Sequence, residues 1–266
     1  MKSIKEMRKI GLARALSKLG FCSRSQAAKL IRNGHVCLNG TQLRDIETPV
    51  RLGHDRIEVN GNNIAAESGV YLMLNKPRGL VTTTSDEKGR QTVYSLLSDT
   101  LPWVAPVGRL DKASEGLLLL TNDSEWAARL CDPNSHLDKT YHVHVGSLVN
   151  QTLADNLVRG VSVNRELLRA KRARLLRTGE KNTWMEIVLD EGKNRQIRRM
   201  FEQFEIEVLR LIRIAIGPQT LGQLPKGKYR NLTAAEKGAI DCTLKISRSE
   251  TAMIEKRRAG KWVDES

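Results

Sequence analysis

Gly108-Arg109-Leu110-Asp111-Lys112-Ala113-Ser114-Glu115-Gly116-Leu117-Leu118-Leu119-Leu120-Thr121-Asn122-Asp123 sets a single carboxylate, Asp111, beside an arginine and a lysine, just ahead of a continuous apolar run. The run is too short to span a membrane and reads as a buried strand. A loop at the edge of a rigid buried strand holds a reacting group in place while leaving it open to a substrate. Arg109 and Lys112 favour the ionised form of Asp111, because a nearby positive charge lowers a carboxyl pKa. The same spacing also fits a plain turn in which Asp111 is a cap and Arg109 its surface partner, the usual fate of a lone loop aspartate.

Working outward, the whole chain is strongly basic. Its 266 residues exceed one average domain, and its formal net charge of +14 suits a polyanionic partner. No apolar stretch is long enough to cross a bilayer, and Met1 to Lys9 is basic without the apolar core of a signal segment, so a cytoplasmic protein is expected. Cys22, Cys37, Cys131 and Cys242 lack the close pairing of a zinc site and read as free thiols.

Upstream, Leu12, Ala15, Leu16 and Leu19 fall at helical spacing, with Gly20 as a C-cap. Ser23 and Gln26 have the spacing of a capping box for a second helix that stops at Gly34. Arg24, Lys29 and Arg32 on that helix, with Arg14 on the first, form a basic face, which in most proteins is only a solvated surface. Val36 to Leu38 and Arg56 to Val59 read as short strands, with tight turns at Asn39-Gly40 and Asn60-Gly61. A small polar stretch at Ala65 to Gly69 marks a boundary. Val70 to Asn75 is a strand running into the turn Lys76-Pro77-Arg78-Gly79, with Thr82 to Thr84 as its return and Thr92 capping a short helix through Leu97.

Downstream, Asn122 or Asp123 caps a helix carrying Trp126, Ala127 and Leu130. Lys139 to Val145 alternates, with Tyr141, Val143 and Val145 on one face and His142 and His144 on the other, a solvent-facing edge rather than a metal site. Asn150 to Gly160 reads as a helix, Ala173 to Leu176 and Thr183 to Leu189 as paired strands, and Val208 to Ile216 as a buried strand. In Gln196-Ile197-Arg198-Arg199-Met200 the apolar spacing continues to Phe201 and Phe204, so one helix face is core. Arg195, Arg198 and Arg199 then crowd the helix start, where they oppose its dipole unless an anion is present. Thr233 and Glu236 space another capping box, and the residues from Ser247 form a basic tail.

Several of these stretches resemble known families. The Gly-Arg-Leu-Asp motif, with Ser114, Gly116, the leucine run and Thr-Asn-Asp, resembles the active-site signature of RNA pseudouridine synthases, in the bacterial branch acting on ribosomal RNA. Lys76-Pro77-Arg78-Gly79, Lys139-Thr140-Tyr141 and Gln-Ile-Arg-Arg-Met are similar to that family's other motifs. Ser124 stands where the family usually has glycine and is compatible with a helix start. Residues Arg8 to Ala66 resemble the S4 RNA-binding domain.

The resemblance implies an α+β chain: an S4-like domain over 8–66 and a catalytic domain over 70–246 with a mixed, mainly antiparallel sheet; the polar, basic composition of 247–266 reads as a mobile tail. It implies that Asp111 is catalytic, that Tyr141 packs against the target uracil, and that Arg198 pairs with Asp111. Arg14, Arg24, Lys29, Arg32, Lys76, Arg78, Arg109, Lys112, Arg195 and Arg199 are the expected RNA contacts. The expected partner is ribosomal RNA or a ribosomal assembly intermediate, met by a monomer without a membrane, and neither cofactor nor metal is required. Two other classes remain compatible: a non-catalytic ribosome-assembly factor, and an N-glycosidase using Glu115 with Asp111 to activate water. Glu115 itself reads as a turn or surface residue.

Overall fold

A computed structural model describes residues 9–65, 68–84 and 86–245. The tail expected from Ser247 lies outside the described residues. Contacts between Cα atoms group the chain into two units, Met1–Tyr71 with Ser98–Ala105 and Leu120–Trp126, and Leu72–Leu97 with Pro106–Leu119 and Ala127–Ser266.

In the first unit, helices α1 (Leu12–Lys18) and α2 (Arg24–Arg32) lie with a small sheet of strands β1 (Val36–Leu38), β2 (Thr41–Leu43), β3 (Ile57–Val59) and β4 (Asn62–Asn63), ordered β2-β1-β3-β4. The capping box forms: Ser23 Oγ accepts from the Gln26 N–H at 3.2 Å and Gln26 Oε1 accepts from the Ser23 N–H at 3.0 Å. Both turns Asn39-Gly40 and Asn60-Gly61 take positive φ at both residues, the condition of a tight turn whose twist matches its strands. Leu12, Leu16, Ile31, Val36 and Val50 are fully buried, while Arg14, Arg24, Lys29 and Arg32 are all exposed.

The main path of the large sheet runs through β5 (Tyr71–Lys76), β6 (Glu115–Thr121), β7 (Lys139–Val145), β8 (Arg172–Thr178), β9 (Thr183–Leu189), β10 (Val208–Ile216) and β11 (Tyr229–Asn231), with two-residue strands at Ala105–Pro106 and Gln219–Thr220 beside β6 and β10. Its order is β8-β9-β7-β10-β6-β5-β11. Strands β8, β9, β7 and β10 are successively antiparallel, and β10 runs parallel to β6. The chain is thus α+β with a mixed, mainly antiparallel sheet. Strand β6 is buried at every position and its four leucines are fully inaccessible, as a strand covered on both faces requires.

Helix α3 (Ser124–Cys131) begins where Asp123 Oδ1 accepts from the N–H of Trp126 at 2.9 Å. Helix α4 (Gln151–Arg159) starts at Asn150, and α5 (Gln196–Glu202) contributes Ile197, Met200 and Phe201 to a core with Val143, Val145, Met185, Ile187 and Leu211. Thr82 to Thr84 forms no return strand. Strand β5 already has β6 on one side and β11 on the other, so the chain after Gly79 leaves the sheet and retains only a bridge between Val81 and Thr92. Thr92 caps a single 3₁₀ turn, Val93–Leu96, rather than an α-helix.

Candidate active site

The loop before β6 is held by its backbone. Leu110 O accepts from Thr82 Oγ1 at 2.8 Å, Asp111 O from Lys76 Nζ at 3.2 Å and the Ser114 N–H at 2.9 Å, and Lys112 O from the Gly79 N–H at 2.8 Å. Ala113 O accepts from Arg198 Nη2 at 3.3 Å and Ser114 O from Lys76 Nζ at 2.9 Å. Every carbonyl from Leu110 to Ser114 is therefore engaged, by donors from residues 76–82, from Ser114 within the loop and from Arg198. The half-buried Asp111 carboxylate has no hydrogen bond or ion pair among the described residues. It lines a cleft of 570 Å³ together with Arg109, Tyr141, Lys139, Arg195 and Arg213.

Lys76, expected to project its charge towards RNA, does not. It is fully buried, and its ammonium donates to the carbonyls of Pro77, Asp111 and Ser114. Burial draws its pKa down to about 8, against the pull of Asp111 and Glu115. Strand alternation explains the inward direction: Lys76 ends β5 on the same face as Leu72 and Leu74.

The expected ion pair between Arg198 and Asp111 is also absent among the described residues. The guanidinium is occupied by two carbonyls, Val208 O at 2.8 Å from Nη1 and Ala113 O at 3.3 Å from Nη2, and its Nε is buried without a partner among the described residues. Burial holds its pKa below the ordinary value, with Arg195 and Arg78 acting the same way and Asp111 in opposition. Arg198 thus reaches the Asp111 loop through the carbonyl of Ala113.

Tyr141 is half-buried in β7, opposite Arg213 of β10 and Ile187 of β9. Arg78, Arg109, Lys112 and Arg195 are exposed, and of these Arg109 and Arg195 line the cleft. Arg199 is half-buried and bonds Glu166 at 2.7 Å. The crowding of arginines at α5 is relieved from within the chain, by Glu166, by the carbonyls on Arg198, and by Glu202 at 3.5 Å from Arg195. His144 stacks on Trp184 with ring centroids 4.6 Å apart, and His142 Nε2 lies 3.8 Å from Glu186. Among the described residues no three His, Cys, Asp or Glu side chains are placed to hold a metal.

Glu115 is neither a turn nor a surface residue. It is 3% exposed at the start of β6, with Arg210 at 2.8 Å and Lys226 at 2.6 Å. The Arg210 hydrogen bond lowers its pKa most, and the carboxyl falls from 4.5 to about 2. A carboxylate so held is a poor base for water, and Glu115 is not among the cleft-lining residues, which removes the glycosidase arrangement. Because the folded pKa is depressed, the stabilisation is present above pH 4.5 and is lost as pH falls towards 2. Glu115→Gln should lose on the order of 1–3 kcal/mol at pH 7, and much less relative to wild type at pH 2.5, in urea melts at the two pH values. Equal differences at both would contradict the linkage.

Thr82, which holds the loop, and Arg213, which lines the cleft, carry parts of this site that motif spacing does not reveal, as do Arg210 and Lys226 for Glu115 outside it. Each is far in sequence from the residue it serves, and the nearest signal was the density of basic residues in β10.

This is a loop-held carboxylate and a tyrosine in a cleft beside basic side chains, in a chain with a separate basic helix pair: the outline of an enzyme acting on RNA. The sequence matches the RNA pseudouridylate synthase family over residues 70–203 and the S4 domain over residues 10–61. It is 37% identical over 85% of its length to "Ribosomal large subunit pseudouridine synthase B" of Bacillus subtilis, covering 93% of that protein. It is also 37% identical over 86% of its length to an uncharacterized RNA pseudouridine synthase of Aquifex aeolicus, covering 93% of it. A crystal structure of a pseudouridylate synthase superposes with a TM-score of 0.61 at 30% identity, over 85% of this chain and 97% of that one. The chain belongs to the RNA pseudouridylate synthase family and carries an S4 domain.

Proposed function

We propose that the chain converts a uridine of ribosomal RNA to pseudouridine in the cytoplasm, acting as a monomer, with Asp111 as the reacting carboxylate. The observation that carries this reading is the pairing of a fully engaged loop backbone with an unengaged Asp111 side chain facing the cleft. The reaction breaks the N1–C1′ bond, turns the uracil, and forms a C5–C1′ bond, while the proton leaves C5 and N1 gains one. The nucleotide must leave its stack to expose the sugar carbon and the ring face. Asp111 then acts at the sugar carbon as nucleophile or as base, where an ionised carboxylate also steadies positive charge. Tyr141 offers its ring to the extruded base.

The test is a nucleotide-resolution map of pseudouridine in ribosomal RNA from cells with and without the protein. The name of the Bacillus subtilis relative makes large-subunit RNA the first to map. One site lost in the deletion and restored by purified protein is expected; an unchanged map would overturn the assignment.

Arg198→Lys is expected to lower the single-turnover rate at least about tenfold, because Arg198 reaches Val208 O and Ala113 O from two separate nitrogens of a rigid planar fork that a lysine does not reproduce. Tyr141→Phe should keep RNA affinity within about threefold, since the ring supplies the stacking. Normal rates in both variants would show the pocket to be elsewhere.

The exposed set Arg14, Arg24, Lys29 and Arg32 is assigned to RNA phosphates, which position a protein without reading sequence. Changing all four to glutamine should weaken binding and reduce the slope of log affinity against log salt by about 3, since each lost phosphate contact removes roughly 0.7–0.9. The rate at saturating RNA should stay within about threefold. An unchanged salt slope in filter-binding titrations would place the RNA on another surface.

A further inference from the structure

Lys139 and Arg213 lie on the cleft face of the sheet. Arg213 is opposite Tyr141 across the β7–β10 pairing, two residues from Lys139, and both cations line the cleft. Arg213 is 6% exposed; its Nε donates to Leu117 O at 2.8 Å, and its Nη2 is buried with no partner among the described residues. Lys139 is half-buried, and its ammonium has neither a hydrogen bond nor an ion pair among the described residues. Burial first, and then Arg213, hold its pKa below the ordinary value, with opposing pulls from Cys131, Asp190 and Asp138. Asp111 is not among those charges; it acts on Lys76 and Arg198 instead.

Two cations held near each other in a partly dry cleft repel, and an orphaned guanidinium N–H adds its own desolvation cost. An anion between them reverses both penalties. Uracil could accept a hydrogen bond from that N–H but, being neutral, does not offset the repulsion, whereas the phosphodiester flanking an extruded nucleotide carries one charge and two free oxygens and does both. We propose that Lys139 and Arg213 form a phosphate subsite that grips the RNA backbone next to the target uridine. This rests on the reading of the cleft as the nucleotide pocket, and makes the two residues positioning groups for the sugar presented to Asp111.

The first test uses the full chain with uridine 5′-monophosphate and uridine as probes. Cys131 lines the same cleft beside both cations, so its alkylation by iodoacetamide, followed by peptide mass with Cys37 as internal control, reports occupancy. The nucleotide is expected to slow alkylation at least about fivefold at concentrations where uridine has no effect. Lys139→Gln and Arg213→Lys, both checked by thermal melting, should abolish that difference. Equal protection by the two probes, or undiminished protection in a folded Lys139→Gln, overturns the subsite. This readout needs no turnover: phosphate-dependent protection in a protein that modifies no uridine would overturn the proposed reaction while keeping the subsite.

The second test places one neutral methylphosphonate at each linkage flanking the mapped uridine. One of the two should raise the half-saturating RNA concentration of wild type about tenfold and leave that of Lys139→Gln unchanged. If neither linkage matters, the ligand is a free nucleotide and the backbone grip is refuted.

Discussion

Asp111→Asn is expected to lower pseudouridine formation by at least about 10³-fold while leaving RNA affinity within a few-fold. Asparagine keeps the shape of the side chain and can neither attack the sugar carbon nor take a proton. The loop should keep its form, because its five carbonyls are held by Thr82, Gly79, Lys76, Arg198 and Ser114 and none of those bonds uses the Asp111 side chain. That separation makes the experiment clean. Single-turnover kinetics on the mapped RNA, with a parallel binding titration, would measure both quantities. Appreciable turnover in the variant would remove Asp111 from the chemistry, and a folded, RNA-binding, inactive variant with full cellular effect would favour the assembly-factor reading.

Gly116→Ala should be the most destabilising small substitution in the catalytic unit. The residue has φ +102°, and a Cβ there would sit 2.3 Å from Arg213 O and 2.9 Å from Arg213 N. Both obstacles are backbone, so neither can swing aside, and the parallel pairing of Arg213 with Gly116 would have to open. Strain at φ and forced separation of the strands together cost about 2–5 kcal/mol, and for a domain of this size the melting temperature should fall on the order of 10 °C. Calorimetry of the purified variant gives the value directly. A melting temperature within 2 °C of wild type, as an approximate bound, would mean that β6 and β10 separate with little penalty.

The parts legible in the sequence are those written in local chemistry. Ser23 with Gln26, Thr233 with Glu236, the Asn-Gly turns and the leucine run announce themselves through spacing of a few residues, and each forms. Asp111 and Tyr141 stood in recognisable motifs, and the fold brings both to one cleft. Direction was harder to read. Lys76 and Glu115 look like surface charges, yet their strands turn them inward, to three carbonyls in one case and to Arg210 and Lys226 in the other. Arg198 looked like a partner for the Asp111 carboxylate and instead bonds the carbonyls of Ala113 and Val208. Long-range pairing decides such cases, and no residue within a few positions records it.

The saturated loop has a consequence for how a nucleotide is chosen. With every carbonyl from Leu110 to Ser114 tied down, Asp111, the proposed reacting group, has little freedom to reach for a target. The RNA must do the moving. The free energy of extrusion, a few kcal/mol and least where a base is unpaired, then becomes a filter applied before any base is inspected. Uridines in hairpin loops and bulges would pass it at little cost, and those inside regular helices would be refused by the stiffness of their own duplex.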